Sequence, residues 1–522
     1  MITQDQTAVI DFLASAATHG GVSVERIETH TAMVFLAGTR AYKLKRAVLF
    51  DYLDFSTPER RRVLCDAEVR LNRRAAPSLY RGILAVTRER DGSLALGGSG
   101  TPVDWVVEMT RFDQEALFDR LAAAGQLDHK LMPPLAAAIA EFHGAAERRA
   151  DHGGKTGMAW VIKGNAAGFA EYGAACLEPA ACVRVTDAAG AELDRRGDLL
   201  DARRNAGFVR QCHGDLHLRN IVLLDGRPTL FDGVEFNDEI SCTDVLYDLA
   251  FLLMDLWRRQ LPRHANEVWH RYLAETGELG GIALLPLFLS CRAAIRAKTS
   301  ATAAQLQNEA RRRGELQELA RDYLSLAESL LHPPGPCLIA IGGGSGAGKS
   351  TLALGLAPFV GAVPGAVVLR SDEIRKQLCG VSLFERLGPE GYSAQVSDRV
   401  YTTVAERARL TVRAGHGAIA DAVYLRPGDR QAITQVAADA SVPFVGLWLE
   451  APESMLIERA EQRRNDPSDA DAAVVRTQRA QPTGMVGWHR LDATMPAEIV
   501  LQRALTHLRE QVEPESIRPY LP

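Results

Sequence analysis

The stretch "CHGDLHLRNIVLLDGRPTLFDGVEF", Cys212–Phe236, decides how this 522-residue chain is read. Asp215 and Asn220 stand five apart in a polar loop. "IVLL" and "PTLF" follow and bracket "DGR". An Asp-Gly pair between two apolar runs signals a hairpin turn. A hairpin turning at Asp225–Gly226 brings Asp232 back beside the loop. Two carboxylates and a carboxamide are therefore expected close to one point. His213 is expected to support the loop backbone, and His217 to support the loop or touch a substrate. Asp244 and Asp248, in "CTDVLYDLAFLLMDL", are expected to cap a helix and anchor the loop.

Phosphoryl transfer uses side chains of these types. A carboxylate accepts the proton of the attacking hydroxyl, and oxygen ligands hold Mg²⁺ against the nucleotide phosphates. Asp215 would be the base, and Asn220 and Asp232 the metal ligands. The spacing is that of a protein-kinase catalytic loop followed by its metal-binding aspartate. "HGDLHLRN" with "FDGVEFND" resembles the aminoglycoside phosphotransferase and choline-kinase branch of the protein-kinase-like fold, over residues 25–330. That branch has His-Gly-Asp where protein kinases have His-Arg-Asp. The resemblance implies a strand lysine paired to a helix glutamate, together holding the α- and β-phosphates of ATP. "AYKLK" offers Lys43 and Lys45, with the Ala-x-Lys order favouring Lys43, and "LCDAEVRLNRRAAP" offers Glu68. It also implies that "DWVVEM", ending at Glu108 and Met109, is the hinge that receives adenine. No Gly-x-Gly-x-x-Gly precedes Lys43; the stretch there is "ETHTAMVFLAGTRAYK". Aminoglycoside phosphotransferases also lack a strict glycine loop.

A second phosphate-handling device follows. "CLIAIGGGSGAGKSTLALGLAPF" reads as strand, glycine loop and helix. Gly343, Gly344, Ser345, Gly346, Ala347, Gly348, Lys349, Ser350 and Thr351 form a P-loop. Its amides and helix N-terminus cradle phosphate, Lys349 reaches the β- and γ-phosphates, and Ser350 ligates Mg²⁺. "AVVLRSDEIRKQL" and "GHGAIADAVYLRPGDR" read as strands ending at Asp372 and Asp421. Ligands of parallel α/β sheets sit at the carboxyl ends of strands, so Lys349, Asp372 and Asp421 should converge. Asp372 would activate the acceptor hydroxyl or cap its own helix, with Arg375 one turn on. Asp421 would orient Mg²⁺ or assist at the acceptor. Arg459 and Arg463 lie on one face of a lid helix and would neutralise charge on the transferred group. This order, over residues 336–510, resembles small P-loop kinases of the polynucleotide-kinase, zeta-toxin and gluconate-kinase type. The whole chain resembles bifunctional aminoglycoside phosphotransferase/ATP-binding proteins.

The expected architecture is an α+β protein-kinase-like bilobal domain followed by an α/β P-loop NTPase domain with a parallel sheet. Residues 1–110 would be the small lobe, 111–332 the helical large lobe, 333–337 the linker "PPGPC" and 338–522 the P-loop kinase domain. Net charge is −5, and residues 336–522 hold 20 Lys and Arg against 21 Asp and Glu. That balance argues against a domain tracking a nucleic-acid backbone. Eight scattered cysteines without zinc-knuckle spacing read as free thiols. The N-terminus lacks a basic segment followed by an apolar one, and no run is long enough to span a membrane. A cytoplasmic location is expected. ATP, with GTP as the alternative, and Mg²⁺ are the expected cofactors, and small-molecule hydroxyl compounds the expected partners. The first acceptor would be a sugar, amino sugar or amino alcohol. The second would be a small polyol or sugar, with a nucleoside or polynucleotide end as the alternative. In another reading, one half is catalytic and the other is a nucleotide-binding regulatory module.

Overall fold

The computed structural model describes residues 2–50, 52–463, 466–512 and 516–518. The chain divides into two compact units, Met1–Val161 with Leu193–Asp255, and Ile162–Glu192 with Leu256–Pro522. The helices Pro262–Thr276, Leu285–Leu306 and Ala310–Leu330, expected in the large lobe, belong to the second unit. Polar bonds tie the first of them there. Buried Asn266 donates to the carbonyls of Pro364 (3.2 Å) and Ala366 (3.3 Å), and Gln377 donates to that of Ala274 (2.8 Å).

The first unit carries a six-stranded antiparallel sheet, in the spatial order Val24–Glu28, Ala32–Ala37, Arg40–Lys45, Thr101–Thr110, Tyr80–Arg88, Leu94–Leu96. Helix Pro58–Asn72 lies on one face. It begins where the Thr57 hydroxyl accepts the Arg60 N–H (3.3 Å) and Pro58 occupies the first turn, where no N–H is missed. Cys65 and Val69 pack on Leu36, Ala41, Val107 and Met109. Burying such side chains contributes about 1.5–3 kcal/mol each and fixes the helix's rotation. Glu68 is thereby aimed at the Arg40–Lys45 strand.

The same helix buries Arg61. Its Nε and Nη2 reach the two oxygens of Asp104 at 2.8 and 2.9 Å, and both residues are fully buried. Gln6 also donates to Asp104 (2.8 Å). Removing one partner strands the other charge in the core. Arg61→Ala is expected to cost about 3–5 kcal/mol, read as a lower urea midpoint for the first unit at unchanged m-value.

The Ile221–Leu224 and Arg227–Leu230 strands form the expected hairpin, with Ile221 opposite Leu230. Asp225 (φ 49°) and Gly226 (φ 74°) both take left-handed backbone, the signature of a type I′ turn.

The second unit contains a five-stranded parallel sheet, in the order Val367–Arg370, Ala418–Asp421, Leu338–Gly342, Phe444–Glu450, His489–Asp492. The first three are covered on both faces, which explains their nearly unbroken apolar runs. Ile339, Ile341, Leu352, Leu356, Ile419 and Leu447 lie in its core. Strand ends carry the P-loop and Asp421 to one edge; the strand expected to end at Asp372 stops at Arg370, and Asp372 sits in the first turn of the helix Ser371–Cys379 that follows, whose N-cap is Arg370. Among the described residues no helix is long and apolar enough to cross a membrane.

Candidate active sites

In the first unit, Lys43 Nζ lies 2.8 Å from Glu68 Oε1 and also contacts Asp232. Lys45 shares Glu68, at 2.5 Å to Oε2, and contacts Glu235 as well. The lysine pair arises because residues i and i+2 of a strand share a face. Burial pushes the Glu68 carboxyl up, but the two ammonium groups outweigh it and hold it down at about 2. Burial likewise opposes charge on Lys43, and Asp232 and Glu68 overcome it, raising its pKa. Both lysines therefore stay cationic. Glu235 is pushed up by burial against the pull of Lys45.

Asp232 takes left-handed backbone (φ 62°) and its N–H donates to the buried Tyr80 hydroxyl (3.0 Å). The next amide, Gly233 N–H, donates to Asn72 Oδ1 (2.7 Å). Asn72 in turn donates to the Glu68 carbonyl (2.9 Å). The backbone at Asp232 is thus fastened to the helix that bears Glu68.

Asn220 Nδ2 donates to Asp215 Oδ2 (3.0 Å) and to its carbonyl (2.9 Å). His217 Nε2 lies 3.3 Å from the same carboxylate oxygen. His213 bridges loop and hairpin: Nε2 donates to the Phe231 carbonyl (2.9 Å) and Nδ1 accepts the Asp215 N–H (3.3 Å). That pattern requires a neutral ring, and burial lowers its pKa accordingly. The Asn220 carbonyl accepts the Phe231 N–H (3.0 Å), so the residue bonded to Asp215 also holds the chain neighbour of Asp232. Buried Asp248 anchors the loop by accepting the N–H groups of His213 (3.1 Å) and Gly214 (2.8 Å). His143 adds a third contact at 3.1 Å. Asp244 pairs with Arg203 at 2.7 and 2.9 Å and accepts the Leu246 N–H at a helix start (2.9 Å). His143, Asp248 and Cys212 could geometrically hold a metal. The acid is already committed to amides, however, and burial pushes the thiol well above its ordinary pKa, so the cluster reads as a polar anchor.

Glu108 and Met109 do not reach an open backbone edge. They lie inside the central strand, between Tyr42 and Ala41 on one side and Gly82 and Tyr80 on the other. The Glu108 carboxylate contacts Arg40, and Arg81 lies 3.8 Å away.

In the second unit the P-loop turns sharply where a side chain cannot fit. A Cβ on Gly343 would fall 2.5 Å from the Leu449 carbonyl oxygen, and one on Gly346 would fall 2.2 Å from that of Leu456. Ser350 Oγ donates to Asp421 Oδ2 (2.5 Å) and Lys349 Nζ to the Gly344 carbonyl (3.0 Å). Burial lowers the Lys349 pKa, while the charges of Asp421 and Asp372 pull it back and that of Arg463 lowers it further. Ser350 and Asp421 are thus in contact beside Lys349, and the charges of Asp372 and Arg463 bear on the same lysine; Arg463 stands just past the helix Glu453–Gln462 that was expected to carry it. Burial raises the Asp421 pKa against Arg370 and Lys349.

Two expected arginines are held elsewhere. Buried Arg375 donates to the Gly391 carbonyl (2.8 Å) and to Ser397 Oγ (3.3 Å) and stacks over Tyr392. Arg459 donates to the Ala493 carbonyl (2.8 Å). Helical spacing found them but could not say which carbonyl each would meet. Arg370 was missed. It is buried against Glu373 (2.9 Å), with Asp466 at 3.3 Å and Asp421 at 3.6 Å. Its position at the carboxyl end of a strand, one residue from Ser371-Asp372, was the available signal.

The Mycobacterium tuberculosis protein Rv2004c (strain ATCC 25618 / H37Rv) is 30% identical to this chain over 478 residues, 90% of this chain and 92% of that protein. The chain belongs to the Rv2004c family. A model of the phosphotransferase enzyme family matches residues 34–284, and an AAA domain model matches 338–484. By these two matches the chain is a kinase, a protein-kinase-like phosphotransferase domain followed by a P-loop kinase domain. Among solved structures, a choline/ethanolamine kinase family protein from Mesorhizobium loti covers 62% of this chain and 98% of its own, at 13% identity and TM-score 0.36. A sugar kinase from Janibacter sp. HTCC2649 covers 35% of this chain and 99% of its own, at 21% identity and TM-score 0.27.

Proposed function

We propose that the chain is a cytoplasmic ATP-dependent phosphotransferase with two sites, each moving a γ-phosphoryl group to a hydroxyl of a small molecule. The observation that carries this reading is Lys43 meeting both Glu68 and Asp232, residues 25 and 189 positions away. A lysine fixed between a helix carboxylate and a loop carboxylate is suited to the phosphates of a nucleotide. At the first site Asp215 takes the acceptor hydroxyl proton. The new bond joins that oxygen to the γ-phosphorus, the β,γ-bridging bond breaks, and ADP leaves. The all-oxygen donors of Asn220 and Asp232 suit Mg²⁺, which when bound would neutralise phosphate charge. The acceptor here is a sugar, amino sugar or amino alcohol.

At the second site the P-loop amides and Lys349 hold the phosphates, and Ser350 with Asp421 provides an oxygen pair suited to Mg²⁺. Asp372 accepts the acceptor proton, and Arg463 balances charge on the transferred group. The acceptor is a small polyol or sugar. GTP is the alternative donor at either site.

ADP release across a panel of small hydroxyl compounds tests the reading on the full chain. The expected result is two acceptor sets, one lost in Asp215→Ala and the other in Lys349→Ala. Release unaffected by Asp215→Ala for every acceptor, with Lys349→Ala abolishing all of it, would overturn the two-site reading.

A further inference from the structure

The helix Ala472–Ala480 begins where the Asp471 carboxylate accepts the Val474 N–H (3.0 Å). Val475 sinks into the core of the second unit. One turn on, the same face presents Gln478 to the phosphate loop. Its Oε1 accepts the Ser345 N–H (2.8 Å) and its Nε2 donates to Ser345 Oγ (3.0 Å). Ser345 is buried. P-loop amides serve phosphate oxygens, so an uncharged carbonyl oxygen stands at a group of that kind. Lys349 is satisfied in a parallel way, by the loop's own Gly344 carbonyl.

The segment leading to this helix is also fastened beside the site. Asp466 meets Arg370. Asp469 accepts from Lys376 (2.6 Å), the Leu387 N–H (3.1 Å) and the Tyr392 hydroxyl (2.8 Å). Gln478 is therefore delivered to Ser345 by a tethered segment.

We infer that Gln478 is a displaceable latch: its side-chain amide occupies the Ser345 amide of the phosphate loop and must leave when a nucleotide phosphate arrives. The inference rests on reading this loop as a nucleotide site. It makes Gln478 a determinant of nucleotide affinity, because each binding event has to break the latch.

The test measures Mg²⁺-dependent binding of a non-hydrolysable ATP analogue to the full chain carrying Asp232→Ala, which silences the first site. Gln478→Ala removes the competitor and is expected to tighten binding about three- to tenfold, the effect of one or two ordinary hydrogen bonds. Gln478→Glu keeps an acceptor on the Ser345 amide, strengthens it with charge and repels phosphate. It is expected to weaken binding by about tenfold. Opposite signs are the diagnostic, since a residue that only supports the helix would shift both variants the same way. A common direction, or no change in either, overturns the latch. Lys349→Ala separates the two layers. If it abolishes binding while the Gln478 variants do nothing, the latch alone fails; if it leaves binding intact, the nucleotide-site reading falls and the latch with it.

Discussion

Asp215→Asn is expected to lower phosphorylation of the first acceptor by about 10²–10⁴-fold, the usual contribution of a positioned general base. The substitution keeps the shape of the side chain and removes its basicity. It should leave the loop in place, because the loop hangs chiefly from Asp248 and His213 and the asparagine keeps a carbonyl oxygen to accept from Asn220. The effect should therefore fall on kcat, with KM for the nucleotide little changed. Steady-state kinetics and a thermal melt together decide it. A melt close to that of the parent with full activity retained would show that Asp215 is not the base. Activity at the second site should be unaffected.

Lys349→Ala is expected to reduce turnover at the second site by about 10²–10³-fold, the loss seen when one preorganised electrostatic donor is removed. Nucleotide binding there should weaken as well, because the lysine serves ground state and transition state alike. The fold without nucleotide should lose little. Burial already disfavours the Lys349 charge, and Asp421 keeps Arg370 close by. Isothermal titration beside single-turnover kinetics separates the two losses. Unchanged kcat and affinity would remove Lys349 from the site.

What could be read from the residues was mostly what is encoded locally. Asp215, Asn220 and Asp232 were legible because a type I′ turn has its own code, and Asp225–Gly226 supplies it. The phosphate loop was legible because carbonyls at Leu449 and Leu456 leave room only for glycine. The parallel sheet was legible because strands covered on both faces lose their alternation. The pairing of Lys43 with Glu68 came from resemblance, and strand periodicity alone could have added Lys45 to the same face. Long-range polar partners were not legible. Arg61 meets Asp104 across 43 residues and Gln478 meets Ser345 across 133, and nothing in either neighbourhood marks the partner. The hinge expectation at Glu108–Met109 stopped short because the central strand runs on to Thr110 with neighbours on both sides.

The most direct test of the account counts nucleotide sites. Equilibrium binding of a Mg²⁺-loaded, non-hydrolysable ATP analogue should saturate at two per chain. At analogue concentrations that just saturate the parent, Asp232→Ala and Lys349→Ala should each leave one of the two sites unfilled, and the double variant should fill neither. A parent chain that saturates at one, or a double variant that still binds two, would contradict it.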